Sequence, residues 1–260
     1  MIYGERKGLS EAIIDKMHKK ADNMNMEDES KDKILSEILD FRERHVDSAM
    51  NETRCRQAEE TLIHVLDKLE KTMENVVYAM AKIVEMRDPY TASHQQRVST
   101  LACTIARDMG LSEEQIDGIN MAAVIHDIGK IGIPAEILSK PGRWTEYEYS
   151  MSKTHPKVGY EILKSIDFPW PIAQTVLQHH ERMDGSGYPH GLSGEEILLE
   201  ARILAVADVV EAMASHRPYR PSLGINRALE EISEKKGILY EARVVDSCLR
   251  ILTKERSDKF

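Results

Sequence analysis

The chain has 260 residues, of which 42% are hydrophobic and 30% are charged, with a formal net charge of −9. This balance is ordinary for a globular protein of one large domain, or of one domain with an extension. The acidic charge argues against a nucleic-acid polymer as the main partner. The three cysteines form no CxxC pair, which excludes a cysteine-based zinc site and favours a reducing compartment. No apolar run could span a bilayer, so we expect a cytoplasmic protein without a membrane segment.

Residues 1–60 are polar, charged and poor in glycine and proline. Short amphipathic patterns occur near residues 34–41, but their apolar residues are too few to form a core. We therefore predict an N-terminal extension that is helical or partly ordered and carries no chemistry of its own.

Residues 61–85 predict a linker helix with a heptad pattern that runs into the following domain. Apolar residues recur at steps of four and three, as the seam of a coiled coil requires. The seam comprises Leu62, Leu66, Leu69, Met73, Val76, Met80 and Ile83. It predicts either a parallel coiled coil that dimerises the protein or one amphipathic helix packed on its own domain. We favour dimerisation through the first half and docking of the second half.

The rest of the chain predicts successive helices joined by short loops. Residues 98–109 have helical apolar spacing, and Gly110 and Ser112 are suited to end that helix and begin the next. Residues 201–214 are apolar nearly all round, which predicts a buried central helix. A strand is the competing interpretation for residues 203–206, but the length and the alanines favour a helix. We predict an all-α fold.

Two adjacent histidines, His179 and His180, end an apolar helical run and are followed by a glycine-rich loop. Imidazole is the commonest protein metal ligand near neutral pH, and glycines let backbone amides come close to a phosphate. The stretch could therefore combine metal ligands with a phosphate cradle. An exposed helix end followed by a flexible turn explains the same residues, and this stretch alone does not decide between the two.

Further metal-ligand types occur in the same helical region. His126 and Asp127 are adjacent in apolar sequence, so the carboxylate could lie between two metals while the imidazole binds one. Asp208 lies in the most apolar helix, where an unpaired carboxylate would cost several kcal/mol. A salt bridge could explain Asp208, and hydrogen bonds to backbone could explain His94 or His155. These simpler explanations weaken when the residues are considered together.

Four motifs resemble those of the HD-GYP family of the HD phosphohydrolase superfamily. They are HDIGK at 126–130, HP at 155–156, HHERMDGSGYP at 179–189 and ARILAVAD at 201–208. HDxGK alone would indicate only the superfamily, whereas HHExxDGxGYP points to the family. The resemblance implies an HD-type helical bundle domain at 73–252, with a charged tail at 253–260. Family members bind two or three metals and hydrolyse the bacterial second messenger cyclic di-GMP.

The resemblance also implies a role for individual residues. One metal would be bound by His94, His126, Asp127 and Asp208, and the second by His155, His179 and His180, with Asp127 bridging. Lys130 would contact the scissile phosphate, and with Asp127 it forms the expected catalytic pair. The remaining substrate-binding residues would be Asp184, Gly185, Gly187, Tyr188, Pro189, Arg217 and Arg220.

The chemistry of the ligand set agrees with these implied roles. Two cations about 3.5–4 Å apart can activate a water molecule and neutralise charge on a phosphodiester. Imidazole and carboxylate ligands without thiolate suit Fe, Mn, Co and Zn alike. We expect Fe or Mn, with Zn or Co as alternatives. Tyr90 occupies the position where three-metal members of the family have Glu, so we expect two metals. Glu211 and His216 stand where Asp is frequent in the family, and Glu241-Ala242 replaces the usual Asp-Pro, but none of these changes removes a ligand.

The sequence therefore predicts a metal-dependent phosphodiesterase that converts cyclic di-GMP to pGpG, with further hydrolysis to GMP left open. One alternative is a phosphodiesterase for another cyclic dinucleotide of the hybrid cGAMP type. Another is a non-catalytic cyclic-dinucleotide sensor that signals through its N-terminal helix. The expected partners are a second copy of the chain and a diguanylate cyclase or sensory protein.

Overall fold

The computed structural model describes residues 28–87, 94–216 and 222–257. By contacts the chain separates into two units, Met1–Leu69 and Glu70–Phe260. Within the described ranges all regular elements are helices, and the bridges between Asp184 and Ser193 and between Lys236 and Tyr240 are isolated. The predicted all-α fold is confirmed. None of the described helices combines the length and apolarity needed to cross a membrane.

The helices differ widely in length, and short 3₁₀ turns connect some of them. In chain order they are α1 Asp28–Arg87, α2 His94–Asp108, α3 Glu113–Ile125, α4 Ala135–Leu138, α5 Glu146–Ser152, α6 His155–Leu163, α7 Ile172–Gln178, α8 Leu199–Ala214, α9 Ile225–Glu234 and α10 Ala242–Ser257. The 3₁₀ turns are Ile128–Gly132 and Gly194–Glu196. Since α10 continues through Ser257, residues 253–257 of the predicted charged tail are helical.

The first unit consists, in its described part, of the N-terminal portion of α1. Every side chain described between residues 28 and 69 is exposed. The exposed fractions are 58% for Leu62, 54% for Leu66 and 64% for Leu69. The described part of this unit therefore has no core of its own in the single chain. The part of the predicted extension before residue 28 lies outside the described residues.

The C-terminal part of α1 belongs to the second unit and packs on it. Val77, Ala81 and Val84 are buried in a cluster with apolar residues of α3, α6 and α7. The predicted seam is wrong at two positions, because Val76 and Ile83 are 53% and 55% exposed. Successive residues of a helix point about 100° apart. The face of α1 that docks therefore carries Val77 and Val84, which are next in the chain to Val76 and Ile83.

The main core of the second unit surrounds α8. Residues of this helix that include Ile203, Leu204 and Val206 are fully buried against α2, α3, α9 and α10. Residues 203–206 are therefore helical, as the alanines indicated, and not a strand. The predicted helix signals are also present: Gly110 adopts φ +79°, and Ser112 forms a capping box at the start of α3.

Candidate metal centre

Most of the predicted metal ligands stand at helix ends, where side chains from several elements can converge. His94 and His155 are the first residues of α2 and α6, and His126 and His179 cap the C-termini of α3 and α7. Asp208 lies within α8. The structure brings all seven predicted ligands into groups whose ligand atoms lie within 4.8 Å of one another: His155, His179 and His180; His94, His126 and Asp208; and His126, Asp127 and His179.

Three of these histidines are oriented by backbone carbonyls that precede them in the chain, at the C-terminal ends of α3, α5 and α7. In His126, His155 and His179 the Nδ1 atom donates to the carbonyl oxygen three residues earlier, at 2.6, 2.6 and 2.5 Å. A carbonyl oxygen only accepts, so Nδ1 carries the proton of the neutral ring. The lone pair is then on Nε2, which is the arrangement that metal-binding histidines use.

His94 is oriented by a carboxylate instead of a carbonyl. Its Nδ1 donates to Glu211, one turn after Asp208 on α8. Glu211 is buried and also accepts a hydrogen bond from Nε of Arg97 at 2.6 Å. The sequence marked Glu211 only as a departure from the family pattern, and its position three residues after Asp208 was the one local signal of this role.

The freed Nε2 atoms face one another and the two aspartates. Nε2 of His94 lies 3.3 Å from Oδ1 of Asp208. The Asp127 carboxylate has Oδ2 3.5 Å from Nε2 of His126 and Oδ1 3.4 Å from Nε2 of His155. Its two oxygens thus face different histidines, as a bridging ligand would.

One close contact within the cluster, between two imidazoles, is unfavourable without a cation. Nε2 of His155 lies 3.3 Å from Nε2 of His179, and both nitrogens carry lone pairs because both Nδ1 atoms donate elsewhere. Two lone pairs repel each other at this distance, and burial removes the water that would screen them. The donor chemistry therefore fits a divalent transition metal, which accepts imidazole and carboxylate ligands together.

The protonation states also suit metal binding. Burial lowers the pKa of His179 to about 3 and lowers those of His155 and His180. Burial alone would raise the pKa values of Asp127 and Asp208, but Lys130 and the surrounding histidines outweigh it, and both pKa values lie well below their usual range. At neutral pH His155, His179 and His180 are therefore neutral and both carboxylates are ionised, the forms that bind metals.

Lys130 lies directly against the bridging carboxylate. Its Nζ is 2.6 Å from Oδ2 of Asp127, because the 3₁₀ turn places residues three apart on one side. The glycine before it, Gly129, permits a close contact with α6: a Cβ there would lie 1.9 Å from the carbonyl oxygen of His155. Only glycine at this position allows Asp127 and His155 to come together.

The loop after His180 is held by its own polar contacts. Asp184 accepts hydrogen bonds from the amide and hydroxyl of Ser186, at 2.9 and 2.7 Å, and Gly185 has φ +79°. Asp184 thus shapes the loop, whatever it contributes to substrate binding. Tyr188 packs its ring 4.8 Å from the ring of His180, and the peptide bond between Tyr188 and Pro189 is cis.

Glu181 is a further residue of this loop, for which the sequence predicted no role. It is buried, and its carboxylate accepts hydrogen bonds from the amides of His190 and Leu192, at 2.8 and 3.0 Å. Gly187 packs against the same segment, because a Cβ there would lie 2.4 Å from Cα of Glu181. The acidic residue in HHE therefore holds the far side of the loop. Its place directly after two ligand-type histidines was the available signal.

Three other residues named from the sequence lie outside the described ranges. They are the predicted phosphate-binding residues Arg217 and Arg220, and Tyr90, which stands where a third-metal ligand is expected.

The chain is similar in sequence to a known family and to curated proteins. A family model described as HD domain matches residues 78–244. The chain is 43% identical over 199 residues to the cyclic di-GMP phosphodiesterase response regulator RpfG of Xanthomonas campestris, covering 76% of this chain and 53% of the relative. It is 38% identical to 3'3'-cGAMP-specific phosphodiesterase 3 of Vibrio cholerae, covering 62% and 35%. The chain thus spans about half or less of these relatives' lengths.

The fold has counterparts among solved structures. A cyclic GMP-AMP specific phosphodiesterase from Vibrio cholerae superposes with a TM-score of 0.54 at 17% sequence identity, covering 70% of this chain and 49% of that chain. This likeness concerns the fold alone. The family match and the sequence identity to RpfG show more: the chain belongs to the HD domain family, and its HHExxDGxGYP motif places it among the HD-GYP proteins.

Proposed function

We propose that this chain is a metal-dependent phosphodiesterase that opens cyclic di-GMP to pGpG, with further hydrolysis to GMP left open. The observation that carries the proposal is the buried cluster of imidazoles and carboxylates, in which the Nε2 atoms of His126, His155 and His179 are acceptors. The identity to RpfG, named as a cyclic di-GMP phosphodiesterase, supports the substrate.

The cluster would hold two divalent ions, with Fe or Mn as the first choice and Zn or Co as alternatives. His94, His126 and Asp208 would bind one ion, and His155, His179 and His180 the other, with Asp127 between them. Such a pair supplies an activated water and neutralises charge on the displaced oxygen.

The protein's own residues complete the reaction. The Nδ1 hydrogen bonds hold the imidazoles in the neutral tautomer and fixed orientation. Lys130 would stabilise charge that develops on the phosphate oxygens. The loop of Asp184, Gly185, Gly187, Tyr188 and Pro189 would border the substrate, and Arg217 and Arg220 would bind its phosphates.

A second candidate keeps the chemistry and changes the substrate. The 38% identity to a 3'3'-cGAMP-specific phosphodiesterase favours a hybrid cyclic dinucleotide as the alternative. The protein would then distinguish the two guanine bases of cyclic di-GMP from the mixed bases of the hybrid by contacts outside the metal centre.

The test is turnover across a panel of cyclic dinucleotides, using protein purified without oxygen and supplied with Mn or Fe. We expect linear dinucleotide from cyclic di-GMP at the highest kcat/KM, and none from Asp127→Ala. Preference for the hybrid would favour the second candidate. Tight binding without product would instead indicate a sensor and contradict the proposed enzyme.

We further propose that the chain acts in the cytoplasm as a homodimer joined through the first half of the heptad seam. The exposure of Leu62, Leu66 and Leu69 supports this arrangement, because parallel association would bury them. A diguanylate cyclase or sensory protein is the expected further partner.

A further inference from the structure

A cationic and aromatic group lies beside the metal centre, at the end of α5. The ammonium of Lys153 is 4.6 Å from the ring centre of Tyr149 and 5.2 Å from that of Tyr188. Both distances are within the range of cation–π contacts. Tyr188 in turn packs against His180, a predicted metal ligand. These contacts link the metal centre to the surface through three side chains, two of which have no role so far.

The group keeps features that a purely structural contact would not need. Tyr149 is 52% exposed, so much of its ring is available to a ligand. Across residues 28–87, 94–216 and 222–257, no carboxylate forms a salt bridge with Lys153. Among these residues its charge is offset by the two rings, so a phosphate could approach it without displacing a carboxylate of the described part of the chain.

We propose that Tyr149, Lys153 and Tyr188 form the nucleotide-binding surface outside the metal centre, with Lys153 pairing with a substrate phosphate and Tyr149 stacking on a guanine base. The proposal rests on the proposed phosphodiesterase function. With the scissile phosphate at the metals, the nucleoside must extend toward the surrounding surface. Aromatic rings stack on bases, and a lysine next to them supplies charge for the adjoining phosphate.

These contacts are remote from the bond that breaks, so they should act on binding more than on chemistry. An interaction that is equally strong in the ground state and in the transition state lowers KM and leaves kcat unchanged. Loss of one base stack should therefore raise KM by about tenfold. A defect of the metal centre would instead lower kcat.

The experiment compares Tyr149→Ala with Tyr147→Ala, and Lys153→Met with Lys157→Met. Tyr147 lies on the same helix and is 73% exposed, and Lys157 is an exposed lysine on α6. We expect KM for cyclic di-GMP to rise about tenfold in Tyr149→Ala and Lys153→Met, with kcat and metal content unchanged. Both controls should match the wild type. Tyr149→Phe and Lys153→Arg should recover most of the affinity, because the ring and the charge remain.

Equilibrium binding of cyclic di-GMP, measured on the same variants, separates this proposal from the proposed function. If the wild type turns over cyclic di-GMP and all variants keep its KM, the nucleotide surface is wrong and the enzyme stands. If the wild type binds without turnover, the enzyme is wrong, and the dissociation constants of the variants decide the nucleotide surface. A wild type that neither binds nor cleaves cyclic di-GMP overturns both.

Discussion

Glu211 and His94 form a buried hydrogen-bonded pair across 117 residues of sequence. Nδ1 of His94 donates to the carboxylate, and Nε2 is thereby turned toward Asp208 at 3.3 Å. Burial alone would raise the pKa of Glu211, but the hydrogen bond from His94 and the neighbouring Arg97 outweigh it and bring the pKa to about 2. Glu211 therefore stays ionised and fixes the orientation of one metal ligand.

Removal of this carboxylate should weaken metal binding without removing a ligand. We expect Glu211→Ala to lose about 10–100-fold in metal affinity, the usual effect of deleting a partner that orients a metal-binding histidine. Glu211→Gln should lose less, because its amide oxygen can still accept from Nδ1. The measurement is titration of metal-free protein by calorimetry.

Glu200→Ala is the matched control for Glu211→Ala, since Glu200 lies on the same helix α8 at its first turn. It should bind metal as the wild type does. Unchanged metal affinity in Glu211→Ala would contradict the positioning role.

The pair also shows what a sequence can and cannot reveal. Local signals were sufficient to predict the end of α2 and the start of α3, because Gly110 and Ser112 act on backbone groups within a few residues. The metal ligands could be recognised in the sequence because burying an unpaired histidine or aspartate in apolar surroundings costs free energy. The contact of Glu211 with His94 depends on the packing of α8 against α2, which no local pattern specifies.

The same limit explains the error in the heptad seam. Steps of four and three describe a stripe on a helix but do not say which side docks. Val77 and Val84 are buried, whereas Val76 and Ile83 are exposed, because the surface formed by α3, α6 and α7 selects the neighbouring face. Glu181 was missed for a similar reason, since its partners, the amides of His190 and Leu192, become available only when the loop folds back.

Lys130 and Asp127 should be separable by mutation although they touch. A protonated ammonium cannot bind a metal, but it can stabilise charge in the transition state. Lys130→Ala should therefore keep the wild-type metal content and lose about 100-fold or more in turnover. Asp127→Ala should lose metal and activity together. The two measurements are elemental analysis and hydrolysis of cyclic di-GMP.

The contact of 2.6 Å between Lys130 and Asp127 allows a different result. If Lys130 served only to hold the carboxylate in place, Lys130→Ala would lose metal as well, and the assignment to the phosphate would be wrong. Unchanged turnover would show that the lysine has no part in the reaction.

Metal analysis of protein purified without oxygen should give about two transition-metal ions per chain, as a two-metal hydrolase requires. The bound ions should also stabilise the fold, because they bind the native state and relieve the repulsion between Nε2 of His155 and Nε2 of His179. At a metal concentration about 1,000 times the dissociation constant, the gain would be about 4 kcal/mol. Chelation should lower the Tm in calorimetry.

Substitutions in two of the ligand groups test the predicted number of bound ions. His180→Ala and His94→Ala should each retain about one ion, because they remove ligands from different groups. One ion or none in fully reconstituted wild-type protein would refute the two-metal site. Equal loss of both ions in both variants would show that the groups form a single site.

The exposed first half of the heptad seam should mediate dimerisation. Leu66 and Leu69 are 54% and 64% exposed in the single chain, and a parallel partner helix would bury both at the seam. Charge at such a seam costs several kcal/mol, so the double substitution Leu66→Asp and Leu69→Asp should shift the mass measured by light scattering from the dimer toward the 29.6 kDa monomer.

The control is His64→Asp with Lys68→Asp, which adds the same residues outside the seam and should leave the dimer intact. A wild type that is already monomeric at micromolar concentration would refute the proposal, and a monomer produced equally by both double variants would show that charge on the helix, and not the seam, controls association.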